Sequence, residues 1–177
     1  MLQRREGDLA NLIIHEMVHA TIWVKDDAEF NENLATFIGD TAGYYFLKAR
    51  YGVRSEEYVR YVHENEDYRK FSHHMLRGSS KLDSLYKTFQ ETMSHDEKKN
   101  QKEDFIRRIV ETIDTLSLHY PPKSSRRFRN HLPNNTYFMS FRTYQSRQDT
   151  LAHTFANRFS GDLKAYIDDC KLKFGID

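Results

Sequence analysis

The sequence predicts a mainly α-helical single domain built around a pair of consecutive helices. Three observations carry that expectation. Apolar residues recur three and four apart along most of the chain and rarely alternate with polar ones. Only three Pro interrupt 177 residues. Aromatic residues make up 14% of the chain, too many core-forming side chains for a disordered polymer. At this length one core is the default, and it buries roughly 70% of the unfolded chain's surface without disulfide or metal staples. A metal held by such a chain serves function rather than folding.

The first helix is expected from about Asp8, read as its N-cap, to Trp23, with Leu9, Leu12, Ile13, Met17 and Ala20 as its apolar stripe. Lys25-Asp26-Asp27 makes a polar turn, and a second helix spans about Phe30 to Tyr51 and stops at Gly52. This helix pair covers about residues 8–52. Ser55-Glu56-Glu57 opens a third helix that runs to about Leu76, where Gly78-Ser79-Ser80 interrupts it before Leu82 to Met93 resumes. His95 to Asp104 contains no apolar residue and reads as an exposed turn plus the first turns of a helix through Ile106, Ile109, Val110, Ile113 and Leu116. These segments form a hairpin region over about 55–119. Pro121-Pro122 followed by Lys123-Ser124-Ser125-Arg126-Arg127 is the clearest loop. Beyond it, a segment over about 134–175 is expected to hold helices around Asn135 to Tyr144, Asp149 to Phe159 and Asp162 to Phe174. The last is capped by Ser160 before it and Gly175 after it.

Charge narrows the partners. Twenty-seven Lys and Arg against 26 Asp and Glu give a net charge of +1, without the basic excess of a nucleic-acid or anionic-membrane surface. Cys170 stands alone, so neither an intrachain disulfide nor a Cys-rich zinc or iron–sulfur site is available. The most apolar stretch, Leu9 to Val24, is broken by His15, Glu16 and His19. It is neither a signal-peptide core nor a transmembrane segment, and the chain as given reads as soluble.

Those three residues carry the chemistry. His15-Glu16-Met17-Val18-His19 is an H-E-x-x-H sequence, and residues four apart lie one turn above each other on one helix face. Two imidazoles so placed can chelate one ion, while Glu16, about 100° around the helix, can reach a water near it and serve as a base. The plain alternative is a pair of histidines in ordinary hydrogen bonds. Against it, the motif is embedded between Leu12-Ile13-Ile14 and Val18, where two imidazoles and a carboxylate are costly unless a cation compensates them.

A third ligand is expected from the second helix. The short turn makes the helices antiparallel, which returns Glu32 toward His15 and His19. Glu32, Ala35, Thr36, Gly39 and Gly43 share a face of that helix. Each interior Gly costs about 1 kcal/mol relative to Ala. Either the two helix backbones approach closely there, or the glycines accommodate bulky neighbours such as Trp23 or Tyr44.

His15-Glu16-x-x-His19 followed by Asn31-Glu32-x-x-Ala35-Thr36-x-x-Gly39 resembles the gluzincin pattern H-E-x-x-H and N-E-x-x-A-D-x-x-G, and most closely the bacterial predicted zinc aminopeptidases. Asn134-Asn135-Thr136-Tyr137, with Tyr144 seven residues on, resembles that family's N-N-A element and downstream Tyr. The resemblance implies a zincin-type helix pair holding zinc through His15, His19 and Glu32, with Glu16 as base and a peptide as substrate. It also implies supporting roles for Asn31 and for position 36. There the pattern has an Asp that orients a ligand His and this chain has Thr36, with Asp40 as the candidate replacement. Zincin peptidases hold substrate along a sheet edge upstream of the motif. Only 14 residues precede His15 here, so either the chain is a fragment lacking that sheet or its groove is built differently.

Three protein ligands leave one position open, as in catalytic zinc sites. Hydrolysis then needs a donor for the developing oxyanion, for which Tyr144 is the first candidate and Tyr137, His131 and His153 follow. An aminopeptidase must also hold an α-ammonium group, and Asp40, Glu29 and Asn135 are the candidates. Arg126, Arg127 and Arg129 read as a solvated loop. Two other readings compete. A ferritin-like di-iron bundle needs Glu-x-x-His twice, and Glu16 to His19 is the single instance. A helical binding or scaffold module that kept a metal site without turnover is the non-enzymatic alternative.

Overall fold

The computed structural model describes residues 4–120, 127–128 and 130–175. Its regular elements are α1 (Glu6–His19), α2 (Ala28–Tyr51), α3 (Glu56–Lys87), α4 (His95–Glu111), a 3-10 turn at Thr112–Thr115, α5 (Asn135–Gln145), α6 (Gln148–Phe159) and α7 (Leu163–Phe174). Among the described residues there is no strand, only an isolated bridge between Ile22 and Gly175. The mainly α-helical expectation holds. The chain divides into two compact units, one of Met1–Asn65 with Thr143–Asp177 and the other of Glu66–Arg142.

Side-chain caps decide several helix starts. Asp27 accepts a hydrogen bond from the Phe30 N–H at the head of α2, and Asp162 does the same for Ala165 at the head of α7. Ser94 and Glu97 form a reciprocal capping box, so the polar stretch after Met93 is helical from His95 onward. Ser160, expected to cap α7, instead takes a left-handed conformation at φ 49° and closes α6. Asp8 is not a cap either. Helix α1 begins two residues earlier, after an extended Arg5, which leaves Asp8 in the first turn, and it ends at His19 rather than Trp23.

In the first unit, α1 lies antiparallel on α2. The pairing runs from Val24 beside Asn31, through His15 and His19 beside Glu32, to Asn11 beside Gly39 and Asp40 and Gly7 beside Leu47. Helices α6 and α7 complete the core around Ile22, Leu34, Ile38, Leu151, Tyr166 and Cys170. The apolar stripe expected on α1 is not the face that docks. Ile13 and Met17 are 49% and 59% exposed, whereas Gly7 and Val18 are buried. Close backbone approach favours the small and polar stripe through Gly7 and Asn11, a preference that side-chain apolarity does not reveal.

The two glycines of α2 have different reasons. A Cβ at Gly39 would sit 2.7 Å from Asn11 Oδ1 and 3.0 Å from the Asn11 carbonyl oxygen, so α1 itself needs that space. At Gly43 a Cβ would overlap the Tyr61 hydroxyl, so the bulky neighbour there is Tyr61 rather than Trp23 or Tyr44.

The second unit packs α3, α4 and the start of α5 around Phe71, Met75, Leu82, Ile106, Ile113 and Phe138. Here the expected break at Gly78-Ser79-Ser80 does not occur, and α3 runs unbroken to Lys87. Gly78 serves packing: a Cβ on it would meet Ile109 Cγ2 at 2.9 Å, and Ser79 beside it is 3% exposed. The residues after Lys87 that were expected to stay helical to Met93 form turns instead. Of the expected loop at Pro121–Arg127, residues 121–126 lie outside the described residues, as does Arg129, whereas Arg127 is helical rather than in a loop.

Candidate metal centre

His15 and His19, one turn apart on α1, turn both Nε2 atoms toward α2, where the Glu32 carboxylate meets them. The two Nε2 atoms are 3.2 Å apart, and Glu32 Oε2 lies 3.4 Å from His15 Nε2 and 3.5 Å from His19 Nε2. A tetrahedral ion with bonds of about 2.0–2.1 Å holds its ligand atoms about 3.3 Å apart. The observed triangle therefore has the dimensions of three ligands on one ion. The side chains are 17%, 19% and 25% exposed, so the group is sheltered but not sealed from solvent.

Electrostatics points the same way. Burial first, and then the neighbouring His19, hold the His15 imidazole below its ordinary pKa, favouring the neutral form that binds metal. Trp23 packs edge-on against His19, with centroids 5.9 Å apart. His19 Nδ1 is buried without a hydrogen-bond partner. Thr36 makes no hydrogen bond to either imidazole. Asp40, the candidate replacement, does not reach them: its Oδ1 accepts a bond of 2.6 Å from Asn11 Nδ2. Burial pushes the Asp40 carboxyl up to about 6, against the opposing effect of that bond. The expected support of a ligand His by position 36 or 40 is thus absent, because α2 turns Asp40 toward Asn11, one turn before His15.

Asn31 acts on the backbone instead. Its Oδ1 accepts from the Val24 N–H at 2.9 Å and its Nδ2 donates to the Val24 carbonyl at 2.8 Å, a closed clamp across the α1–α2 turn that sets the rotation of Glu32 next to it. Asn33, which the sequence reading passed over, is fully buried and ties α2 to the α5–α6 junction. It donates to the carbonyls of Glu29 and Thr143 at 2.8 and 2.7 Å and accepts from the Arg147 N–H at 2.8 Å. Arg147 adds ion pairs of 3.2 Å to Asp27 and 3.3 Å to Glu29. A signal existed: two Asn residues flank Glu32 in the first turns of α2, where Asn is a poor helix former.

Tyr144 follows Thr143, the residue held by Asn33 beside Glu32, and is 40% exposed. Asn135 belongs to the second unit, where it accepts from the Tyr86 hydroxyl at 2.8 Å. In the same unit Tyr137 packs into the aromatic core against Phe128 and Phe141, and His131 also lies there. His153 is exposed on α6. Each of the three ammonium candidates already has a polar partner: Glu29 pairs with Arg147 and Ser146, Asp40 with Asn11, and Asn135 with Tyr86. A cleft of about 420 Å³ runs along α1 instead, lined by Arg4, Asp8, Asn11, Leu12, His15 and Glu16. Asp8 was read as a cap. It is a carboxylate in the same cleft as the motif, its carboxyl held above its ordinary range by burial and by nearby Glu64.

Residues 1–174 match the sequence profile of the family described as "Putative aminopeptidase", so the chain belongs to that family. The family description points to a hydrolase acting on peptides. No curated protein and no solved structure matches the chain. No helix among the described residues is long and apolar enough to cross a membrane.

Proposed function

We propose that this chain is a zinc-dependent aminopeptidase in which His15, His19 and Glu32 hold the ion and Glu16 is the general base. The observation that carries this reading is the triangle of His15 Nε2, His19 Nε2 and Glu32 Oε2 at 3.2 to 3.5 Å. Two imidazoles and one carboxylate suit zinc, a borderline-soft ion that accepts nitrogen and oxygen ligands in tetrahedral sites. Bound there, zinc supplies Lewis acidity that polarises a peptide carbonyl and acidifies water.

The chain's own residues do the rest. Glu16 is exposed and lines the cleft together with His15, which is where an attacking water has to be met. Its carboxylate takes a proton as the water oxygen bonds to the carbonyl carbon. It then passes that proton to the amide nitrogen as the C–N bond breaks, so that a carboxylic acid and an amine leave. Asp8 offers a carboxylate to the substrate's α-ammonium group along the same cleft. Seven residues at about 1.5 Å each separate it from His15, so the amino end held there belongs to a short N-terminal segment. Tyr144, on the chain that Asn33 anchors beside Glu32, is the hydroxyl donor for the oxyanion.

The test is peptide hydrolysis by the zinc-loaded chain and by Glu16→Gln. The reading expects the variant to retain zinc and to lose hydrolysis by at least about 100-fold. Retained zinc with no Glu16-dependent hydrolysis in either protein would leave a metal-binding module without turnover.

A further inference from the structure

The second unit carries a cationic cleft that the peptidase reading does not use. On α3, His74, Arg77, Gly78 and Lys81 fall at i, i+3, i+4 and i+7; Phe105, Arg108 and Ile109 on α4 and Thr112 at its C-cap repeat that spacing, so each set forms one stripe. The two stripes line a cleft of about 250 Å³. Its floor is apolar, formed by Phe105, Ile109 and the bare backbone of Gly78, where a Cβ would crowd Ile109 at 2.9 Å. No acidic residue lines it.

The cations have no internal reason to gather there. Arg77, Lys81 and Arg108 form no ion pair or hydrogen bond within the described residues, and Asp104, one turn before Arg108, does not pair with it. Complementing the negative end of α4 is not their role either, because its last carbonyls are already taken. His74 Nε2 donates to the Ile109 oxygen at 2.8 Å, and Thr112 Oγ1 lies 2.9 Å from the carbonyl oxygens of both Arg108 and Ile109. Like charges left unpaired around a shared concavity repel one another, and an anion entering it relieves that repulsion.

We propose that this cleft binds a small organic anion, a phosphate or carboxylate group carried on a flat apolar body. Arg77, Lys81 and Arg108 meet the charged group and Phe105, Ile109 and Gly78 contact the body. The volume lies just below the usual range of drug-sized ligand sites, about 300–1,000 Å³, which fits one ring plus one anionic group rather than a nucleotide or a peptide. Guanidinium groups favour the two-pronged geometry that both anions offer.

The experiment is an NMR titration of the full chain with phenyl phosphate, benzoate, inorganic phosphate and neutral benzyl alcohol, following the Gly78 and Ile109 amides. The expected result is saturable binding of an aromatic anion, at least about tenfold tighter than inorganic phosphate or benzyl alcohol. It should weaken with salt and weaken about tenfold in each of Arg77→Gln and Arg108→Gln. Both arginines are exposed, so the variants should keep the wild-type spectrum away from the cleft. Preference for phenyl phosphate assigns the phosphomonoester class, and preference for benzoate the carboxylate class. The proposal is overturned if neither aromatic anion shifts those amides, if benzyl alcohol binds as tightly, or if the Arg77→Gln/Arg108→Gln double variant binds unchanged.

Discussion

Replacing Asp40 by Asn tests whether the contact that seats α1 on α2 stores the strain its burial implies. Asp40 accepts from Asn11 Nδ2 at 2.6 Å, and Asn11 Nδ2 also donates to the Tyr61 hydroxyl at 3.1 Å. The Tyr61 hydroxyl in turn donates to the Asp40 carbonyl at 3.3 Å. No cation neutralises the carboxylate, and its pKa rises from 3.8 to about 6. That rise corresponds to about 3 kcal/mol of penalty on the ionised form in the folded chain. Because the folded pKa lies above the unfolded one, the contribution to stability is present below about pH 4 and is lost as pH rises through about 6. Asn at this position keeps an oxygen for Asn11 and does not titrate. Urea unfolding of metal-free wild type and Asp40→Asn should therefore give similar stabilities near pH 4. By neutral pH the variant should be more stable by up to about 3 kcal/mol. A difference that stays constant across this window, or a variant less stable at neutral pH, would refute the reasoning.

Other perturbations probe the frame of the metal triangle. Asn31→Ala removes both bonds to Val24 and leaves two backbone groups short of partners, so it should lower stability by about 1–3 kcal/mol and zinc affinity by about tenfold, read by urea unfolding and by competition with a chelator. Gly39→Ala gains about 1 kcal/mol of helix propensity. It forces a Cβ to within 2.7 Å of Asn11 Oδ1, an overpacking cost of about 1–3 kcal/mol, so chelator competition should report weaker zinc binding with a small net loss of stability. Tyr144→Phe should lower kcat by about 100-fold with zinc content unchanged, if its hydroxyl meets the oxyanion.

The convergence of His15, His19 and Glu32 was legible in the sequence because it depends on local spacing. A separation of four residues sufficed to align His15 with His19, and a turn of a few residues sufficed to bring Glu32 back to them. Features set by distant partners were not legible. Ile13 and Met17 look like a buried stripe, yet the backbone approach at Gly39 selects the Asn11 face of α1. Gly78 looks like a break, yet Ile109, from another helix, makes it a packing contact. Asn33 and Arg147 are 114 residues apart, and no local pattern announces their hydrogen bond or the one by which Asn33 holds the Thr143 carbonyl. Asp8 departs from its expected place for a smaller reason: the helix starts two residues sooner than its capping preference suggests, which puts the carboxylate in the first turn, where it lines the cleft.

The zinc content of the purified wild-type chain and of Glu32→Ala, each measured by elemental analysis after exhaustive dialysis, bears most directly on the metal triangle. The account predicts about one zinc per chain in the wild type and a loss of stoichiometric zinc in the variant, with helical content unchanged. Equal zinc in both proteins, or none in the wild type after zinc loading, would contradict it.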